Sequence, residues 1–176
     1  QSDKDEAVTV RAAENAIKLR PYQEEDRQKT IDAFVYKGIT RALGVWPTAG
    51  GKTVMFSELH LHPAMQAWLN KFPQDRQKIL VIAHRDELID QAAKKLAASN
   101  PNLIIEVEKA EKKASHLADC VVASVQTLTA DKGKRMKRFR PEQFRIVVVD
   151  EAHHAASPSY LSVLQHFGFL PPPHFM

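Results

Sequence analysis

The sequence that decides the fold class runs from Phe144 to Glu151 and is Phe-Arg-Ile-Val-Val-Val-Asp-Glu. Its first six residues are almost continuously apolar, which is typical of a central strand of a parallel sheet that is covered on both faces. Two acids follow the strand directly, and the carboxyl ends of parallel strands are where open α/β sheets bind ligands. We therefore expect Asp150 and Glu151 at the functional edge of a buried parallel sheet.

Strand and helix patterns alternate outward from this segment. Apolar runs predict further strands at about 42–46, 78–83, 103–107 and 120–123. Helical spacing of apolar residues, with prolines and acids near the starts, predicts helices at about 21–37, 52–61, 86–98 and 158–167. This alternation predicts an α/β fold of three layers with a mainly parallel sheet.

A glycine turn stands between a predicted strand and helix, with the sequence Pro47-Thr48-Ala49-Gly50-Gly51-Lys52-Thr53. Glycines let backbone N–H groups turn toward phosphate oxygens, and the helix start adds partial positive charge. Lys52 can reach the β and γ phosphates of a nucleotide, and the Thr53 hydroxyl can ligate Mg²⁺. Trp46 replaces the first glycine of the strict phosphate-loop pattern, so a plain glycine turn with a solvated lysine stays open for this segment alone.

The two acids after the 144–149 strand suit metal and water chemistry. Asp150 can hold Mg²⁺ directly or through water, and Glu151 can orient and deprotonate an attacking water. Two solvated acids at a strand end are the alternative. The upstream glycine turn makes the alternative much weaker, because both features fall at the same edge of the predicted sheet.

Composition indicates one globular domain. The chain has 176 residues, of which 44% are hydrophobic and 26% charged, values that distinguish it from disordered chains. No run of eighteen apolar residues occurs, so no membrane span is predicted. Cys120 is the single cysteine, so an intrachain disulfide is impossible; it is expected to be a small buried strand residue.

Positive charge is concentrated in one stretch. Residues 132–145 hold seven Lys/Arg against one acid, a formal charge of +6 in a chain whose net charge is +4. A phosphate-binding surface is one interpretation. A solvated loop on the far side of the sheet is the other, and the sequence does not decide between them.

The motifs together resemble a known superfamily. Asp150-Glu151-Ala152-His153 resembles motif II of the DEAH-type superfamily 2 helicases, and the 47–53 turn resembles their motif I, although Ala49 stands where that motif usually has glycine. The stretch from Leu19 to Gln23 is similar to their upstream adenine-binding motif. The resemblance implies ATP and Mg²⁺ as cofactors, Asp150, Glu151 and Lys52 as catalytic residues, Thr53 and Asp150 as metal ligands, His153 as a coupling residue, and a nucleotide-binding set of Arg20, Gln23, Thr48, Ala49, Gly50, Gly51, Lys52 and Thr53.

Two further segments are similar to motifs that lie along a nucleic-acid strand in this superfamily, namely 83–88 and 124–128. The resemblance implies contacts to DNA or RNA, with DNA favoured, from His84, Arg85, Ser124, Gln126 and Thr127. Hydroxyls, amides and one arginine suit phosphate contacts without base recognition. Helix capping is the alternative role for Ser124 and for Asp86.

The resemblance covers about residues 19–167, and the run from Asp150 to Tyr160 is most similar to the group that contains restriction-enzyme motor subunits and mitochondrial branch-migration helicases. Residues 1–16 are of mixed charge and weakly apolar, so we expect a flexible lead-in there. The resemblance implies a partial RecA-like ATP-binding domain over 17–170 that is incomplete at its C-terminus, followed by a tail over 171–176. Motif III and a second RecA-like domain, which supplies arginine fingers, are expected only in a longer protein. We therefore expect an ATP-dependent helicase that, as this chain alone, binds nucleotide but hydrolyses it very slowly. A catalytically idle nucleotide- or nucleic-acid-binding module is the alternative, and a phosphate-loop enzyme without nucleic acid is a third.

Overall fold

The computed structural model describes residues 20–38, 42–45, 52–84, 86–150 and 156–170, with the backbone alone at 42–45 and 52–55. Five strands form one sheet: β1 Ala42–Val45, β2 Lys78–Ala83, β3 Ile105–Glu108, β4 Cys120–Ser124 and β5 Phe144–Val149. Their order across the sheet is β1-β5-β2-β4-β3, and every neighbouring pair is parallel. The predicted parallel sheet is confirmed.

Helices lie in most of the connections between successive strands, whereas a loop without a helix joins the parallel strands β3 and β4. The helices are α1 Pro21–Tyr36, α2 Lys52–Leu61, α3 Pro63–Leu69, α4 Asp86–Ser99, α5 Val125–Gly133 and α6 Pro158–His166. Short 3-10 turns span Gln74–Arg76, Met136–Arg138 and Pro141–Gln143. In the part of the chain that the structure describes, no helix is both long and apolar enough to cross a membrane.

Alternate side chains of the central strands enter two separate cores. In β2, Ile79 and Val81 pack toward α1, α2, α3 and α4, whereas Leu80 and Ile82 pack toward α5 and α6. The side chains of β5 divide in the same way, because successive residues of a strand point to opposite faces. The three-layer architecture predicted from the alternating pattern is therefore confirmed.

Most predicted ends of the helices and strands agree with the structure, but the predicted start of β3 is wrong. The bounds of β2, β5 and α2 are as predicted. The strand predicted at 103–107 begins at Ile105 instead, because the carboxylate of Asp119 accepts the N–H of Ile104 at 2.8 Å before the strand ladder starts. A side chain that arrives from elsewhere in the chain thus sets the start of β3.

Two helices, α3 and α5, were not predicted from the sequence, and α3 has only seven residues. Pro63 occupies its first turn, and the ring Nδ1 of His62 accepts the N–H of Ala64 at 3.1 Å. Trp68 is buried and stacks on Phe34 of α1 with ring centroids 5.5 Å apart. This packing explains how so short a helix is stable, because tertiary contacts supply most helix stability in proteins.

Candidate functional site at the carboxyl edge of the sheet

The carboxyl ends of β2, β4 and β5 meet at one edge. Asp150 follows β5 directly, and its N–H donates to the carbonyl of Ile82 in β2 at 2.8 Å. His84 follows β2, and Ser124 is the last residue of β4. The predicted metal ligand and two predicted nucleic-acid contacts are therefore brought to the same edge of the sheet.

The start of α2 faces this edge from the neighbouring strand. Val45, the last residue of β1, pairs with Val149, the residue before Asp150. The backbone is already helical at Lys52 and Thr53. A helix start and a strand-end acid thus follow two adjacent parallel strands, which is the placement needed to hold a phosphate chain and its metal between them.

Several predicted residues lie outside the described part of the chain. They are Thr48, Ala49, Gly50 and Gly51 of the glycine turn, Arg85, and Glu151 and His153 of the acidic motif. Their roles remain predictions.

Asp150 is half-buried beside a small apolar cavity of about 50 Å³. This cavity lies between α2, the sheet and α4 and is lined by Phe56, Val81, Ala83, Ala92, Leu96, Val148 and Asp150. Sites for small molecules usually have volumes of about 300–1,000 Å³, so a nucleotide does not fit inside it. The apolar side chains that line the cavity pack beneath the end of β5.

Gln23 closes the first turn of α1. Its Oε1 accepts the backbone N–H of Arg20 at 2.9 Å, and the side chain is buried whereas Arg20 is exposed. One turn further along, Arg27 lies 3.6 Å from Glu58 of α2. The helix that carries Gln23 is therefore attached to the helix that begins at Lys52, and contact with adenine remains a prediction.

Three of the predicted nucleic-acid residues form one hydrogen-bond network. Ser124 Oγ donates to Gln126 Oε1 at 2.9 Å, and Gln126 Nε2 lies 3.0 Å from His84 Nδ1. The network joins the ends of β2 and β4, and His84 and Gln126 are exposed. Ser124 also accepts the N–H of Thr127 at 3.5 Å, so its alternative role as the cap of α5 is confirmed.

Thr127 is joined to the loop that follows β3. Its Oγ1 accepts the N–H of Ala110 at 3.1 Å, and Ala110 has a positive φ of 43°. Non-glycine residues rarely adopt this conformation, so surrounding contacts must hold the loop in place.

Glu108 provides those contacts. This carboxylate at the end of β3 is fully buried; it accepts the N–H of Ala114 at 2.7 Å and a guanidinium N–H of Arg138 at 3.1 Å, and it also pairs with Arg135. A buried carboxylate is tolerated only when it is paired and hydrogen-bonded in this way. We call Glu108, Arg135 and Arg138 the Glu108 anchor.

The Glu108 anchor changes the interpretation of the basic stretch. Besides pairing with Glu108, Arg135 donates to the carbonyls of Ala110 and Lys112 at 2.8 and 2.7 Å. These two arginines therefore belong neither to a solvated loop nor to a phosphate-binding surface. No local sequence pattern indicates these ion pairs, because Glu108 lies 27 and 30 residues from its partners.

Two other titratable groups lie away from the functional edge. Burial raises the pKa of the Cys120 thiol to about 12, so this cysteine is the inert strand residue that the sequence predicted. Burial lowers the pKa of His60, which lines a polar cavity of about 720 Å³ next to Lys78, at the start of β2 and hence at the opposite edge of the sheet.

The fold and the arrangement of this edge define an amino-terminal RecA-like domain of a superfamily 2 helicase. Residues 16–173 match the family described as type III restriction enzyme, res subunit. This match spans most of the chain, and the chain belongs to that family. The family assignment inferred from motifs I and II is confirmed.

Two yeast proteins named as ATP-dependent helicases are similar to this chain. The Schizosaccharomyces pombe mitochondrial helicase irc3 is 39% identical over 153 residues, which is 87% of this chain and 24% of that protein. Saccharomyces cerevisiae IRC3 is 35% identical over 162 residues, or 90% of this chain and 22% of that protein. The chain thus spans about a quarter of the length of these relatives.

Two solved structures share the fold. Saccharomyces cerevisiae dbp5, in a complex that includes ADP, superposes on 89% of this chain and 48% of its own with a TM-score of 0.51 and 13% identity. A Sulfolobus solfataricus SWI2/SNF2 ATPase core covers 87% of this chain and 36% of its own, with a TM-score of 0.50 and 14% identity. At such identities the likeness shows the RecA-like fold alone.

Proposed function

We propose that this chain is the ATP-binding part of a nucleic-acid-dependent ATPase that couples Mg-ATP hydrolysis to DNA remodelling in a longer protein. The observation that carries the proposal is the pairing of Val45 with Val149. Because β1 and β5 are adjacent and parallel, a turn that follows β1 and an acid that follows β5 leave the sheet at the same edge, which supports one common site for phosphate and metal.

Each nucleotide-site residue has a role that its chemistry supports. N–H groups of the 48–51 turn and the Lys52 ammonium bind the phosphates, while Arg20 and Gln23 flank the adenine. Thr53 and Asp150 hold Mg²⁺, and the half-buried position of Asp150 at a strand end fits a carboxylate ligand with one side toward water. When bound, Mg²⁺ neutralises charge on the β and γ phosphate oxygens.

Glu151 and His153 complete the proposed mechanism. Glu151 orients the attacking water and accepts its proton. His153 couples the state of the nucleotide to the nucleic-acid contacts. Both residues follow Asp150, the proposed metal ligand, by one and three positions in the chain, and this proximity supports their roles.

The network of His84, Ser124 and Gln126, with Thr127 and Arg85, contacts the sugar-phosphate backbone of DNA. Amide, hydroxyl and imidazole groups bind phosphate oxygens without distinguishing bases. DNA is favoured over RNA because the matching family is that of a restriction-enzyme subunit. The hydrogen bond between Gln126 and His84 holds polar groups at the ends of β4 and β2 side by side, which supports a shared contact with the DNA backbone.

Hydrolysis by this chain alone is expected to be very slow. In related ATPases an arginine from a second domain stabilises the transition state and accelerates the reaction by about 10³–10⁵. We expect the longer protein to supply that domain. Turnover that stays absent after a second RecA-like domain is added would favour a catalytically idle binding module instead.

Binding of a fluorescent ATP analogue with Mg²⁺ tests the proposal directly. Saturable binding is expected for the natural chain and for Lys94→Ala, a control at an exposed position on α4, and no binding is expected for Lys52→Ala. Circular dichroism establishes that each variant is folded. A folded natural chain that does not bind the analogue would contradict the proposed function.

A further inference from the structure

The strongest concentration of charge lies beside the Glu108 anchor. Residues 108–113 and 131–140 together hold nine basic and three acidic side chains, a formal charge of +6. The whole chain carries +4, so the remainder is −2. A positive field of this kind attracts polyanions and acts over roughly a Debye length of about 8 Å at physiological salt.

The structure separates these basic residues by direction. Arg135 and Arg138 are both paired with Glu108, although the Arg138 side chain remains 41% exposed. Lys132 and Lys134 are exposed, and Lys112 has a side chain that is 62% exposed. The arginines thus fix the backbone, and the lysines are the groups presented to solvent.

Two of these lysines are linked to the proposed nucleic-acid residues through Ala110 and Arg135. The N–H of Ala110 donates to Thr127 Oγ1, and its carbonyl accepts from Arg135. Lys134 precedes Arg135 in the chain, and the carbonyl of Lys112 accepts from the same guanidinium. Lys132 lies two residues before Lys134. The backbone that carries the lysines is therefore joined to Thr127 by hydrogen bonds.

The backbone that carries the lysines is held in a strained form. Asp131 and Lys132 have positive φ values of 49° and 56°, and Gly133 follows with 74°. Consecutive non-glycine residues in this conformation are unfavourable and are found mostly where function requires them. A buried ionic anchor is also a poor way to gain stability but a good way to fix one conformation.

We propose that Lys112, Lys132 and Lys134, which we call the lysine edge, bind the phosphate backbone of nucleic acid beyond the contacts of His84, Gln126 and Thr127. The proposal rests on the proposed function. Lys112 also lies 3.1 Å from Asp90, in a solvent-exposed pair that water and salt screen, so a phosphate can replace it. Glu111 and Asp131, both exposed, are the acids closest in sequence to the lysine edge.

The same segments offer a matched control. Lys113 lines a cavity of about 500 Å³ together with Lys78, which starts β2 at the opposite edge of the sheet. Lys137 acts electrostatically on His166 at the end of α6, on the other side of the anchor. Lys113→Glu/Lys137→Glu therefore changes the net charge as much as Lys132→Glu/Lys134→Glu does, and it also lies within the basic stretches but outside the lysine edge.

The test measures binding of fluorescein-labelled single-stranded and duplex DNA by anisotropy across a series of salt concentrations. Lys132→Glu/Lys134→Glu is expected to weaken binding about tenfold at low salt and to reduce the slope of log K against log salt by about two, since each lost phosphate contact contributes about 0.9. Lys113→Glu/Lys137→Glu is expected to stay within about twofold of the natural chain. Lys132→Gln/Lys134→Gln, a milder change, is expected to give an intermediate loss.

Several outcomes would overturn the lysine edge. Equal losses for the two double reversals would show a nonspecific charge effect, and no loss for either would show that the lysines do not contact DNA. Either result leaves the proposed function intact as long as the natural chain binds DNA. A natural chain that binds Mg-ATP but neither form of DNA would overturn both the lysine edge and the nucleic-acid part of the proposed function.

Discussion

The two ends of the functional edge are built differently. At the β1–β5 end, Asp150 stands over an apolar cavity, and the start of α2 follows the adjacent strand. At the β3–β4 end, side chains are cross-linked by the Glu108 anchor and by Lys109, whose Nζ lies 2.7 Å from Asp90 of α4. Local sequence motifs therefore form the end that we propose binds nucleotide, whereas long-range ion pairs hold together the end that we propose binds nucleic acid.

The sharpest way to test this contrast is to remove the buried carboxylate. Glu108→Gln should lower the free energy of unfolding by about 3 kcal/mol, because two guanidinium groups lose their charged partner in a buried setting. Urea denaturation followed by circular dichroism measures the change. Glu58→Gln is the matched control, since its pair with Arg27 is partly exposed and 3.6 Å long, and it should cost under about 1 kcal/mol. Equal costs would remove the distinction between the two ends.

At the β1–β5 end, the expected effect is on Mg²⁺-dependent nucleotide binding rather than on the stability of the fold. Asp150→Asn should leave the fold intact but reduce the gain in nucleotide affinity on adding Mg²⁺ by about tenfold, because an amide is a weaker ligand than a carboxylate. The measurement is a titration of the fluorescent nucleotide with and without Mg²⁺. Glu87→Gln, at an exposed position on α4, serves as the control. An unchanged Mg²⁺ dependence in Asp150→Asn would mean that this carboxylate is not a ligand.

A smaller effect is expected at Thr127, which joins the loop after β3 to the helix that follows β4. Thr127→Val removes the acceptor of the Ala110 N–H and should weaken DNA binding about threefold, through both a lost contact and a loosened loop. Thr127→Ser keeps the hydroxyl and should restore most of the affinity. If both variants bind DNA like the natural chain, the link between Thr127 and Ala110 has no part in binding.

The smallest expected effect is a pH dependence far from either end. Burial lowers the pKa of His60 below its ordinary value of 6.5, so the unfolded chain takes up a proton that the folded chain resists. Stability should therefore be full above pH 6.5 and decline as the pH falls below it, by at most about 1.4 kcal/mol per pH unit. His60→Gln should reduce this decline in urea denaturation between pH 7 and 5, whereas His116→Gln, at an exposed site, should not. An identical decline in both variants would assign the effect to other groups, such as His166, whose pKa burial also lowers.

The parts of the structure that could be predicted from the sequence lie in the central strands and at the β1–β5 end of the functional edge. The bounds of β2 and β5 were predictable because a buried parallel strand is a continuous apolar run with polar residues at its ends. Asp150 was predictable because it follows such a run directly. These features depend only on residues that are adjacent in the chain, so the sequence is sufficient to predict them.

The β3–β4 end could not be predicted from residues that are adjacent in the chain. Glu108 follows the apolar Val107 in a strand pattern, and only the folded chain shows that Arg135 and Arg138 neutralise it. The start of β3 was misplaced for the same reason, since Asp119 reaches back to Ile104. The adjacent pattern of Ser124, Gln126 and Thr127 was visible, but the hydrogen bond from Gln126 to His84 was not.

The pairing of β1 with β5 also sets the order in which the proposed nucleotide site can assemble during synthesis. Val45 and Val149 are about a hundred residues apart in the chain, so a ribosome that adds about 5–20 residues per second makes Val45 roughly 5–20 s before Val149. During that interval β1 lacks its partner strand, because β5 lies between β1 and β2 in the sheet. A pause or error before β5 would therefore leave β1 unpaired in a nascent domain in which β2, β4 and β3 can already be paired.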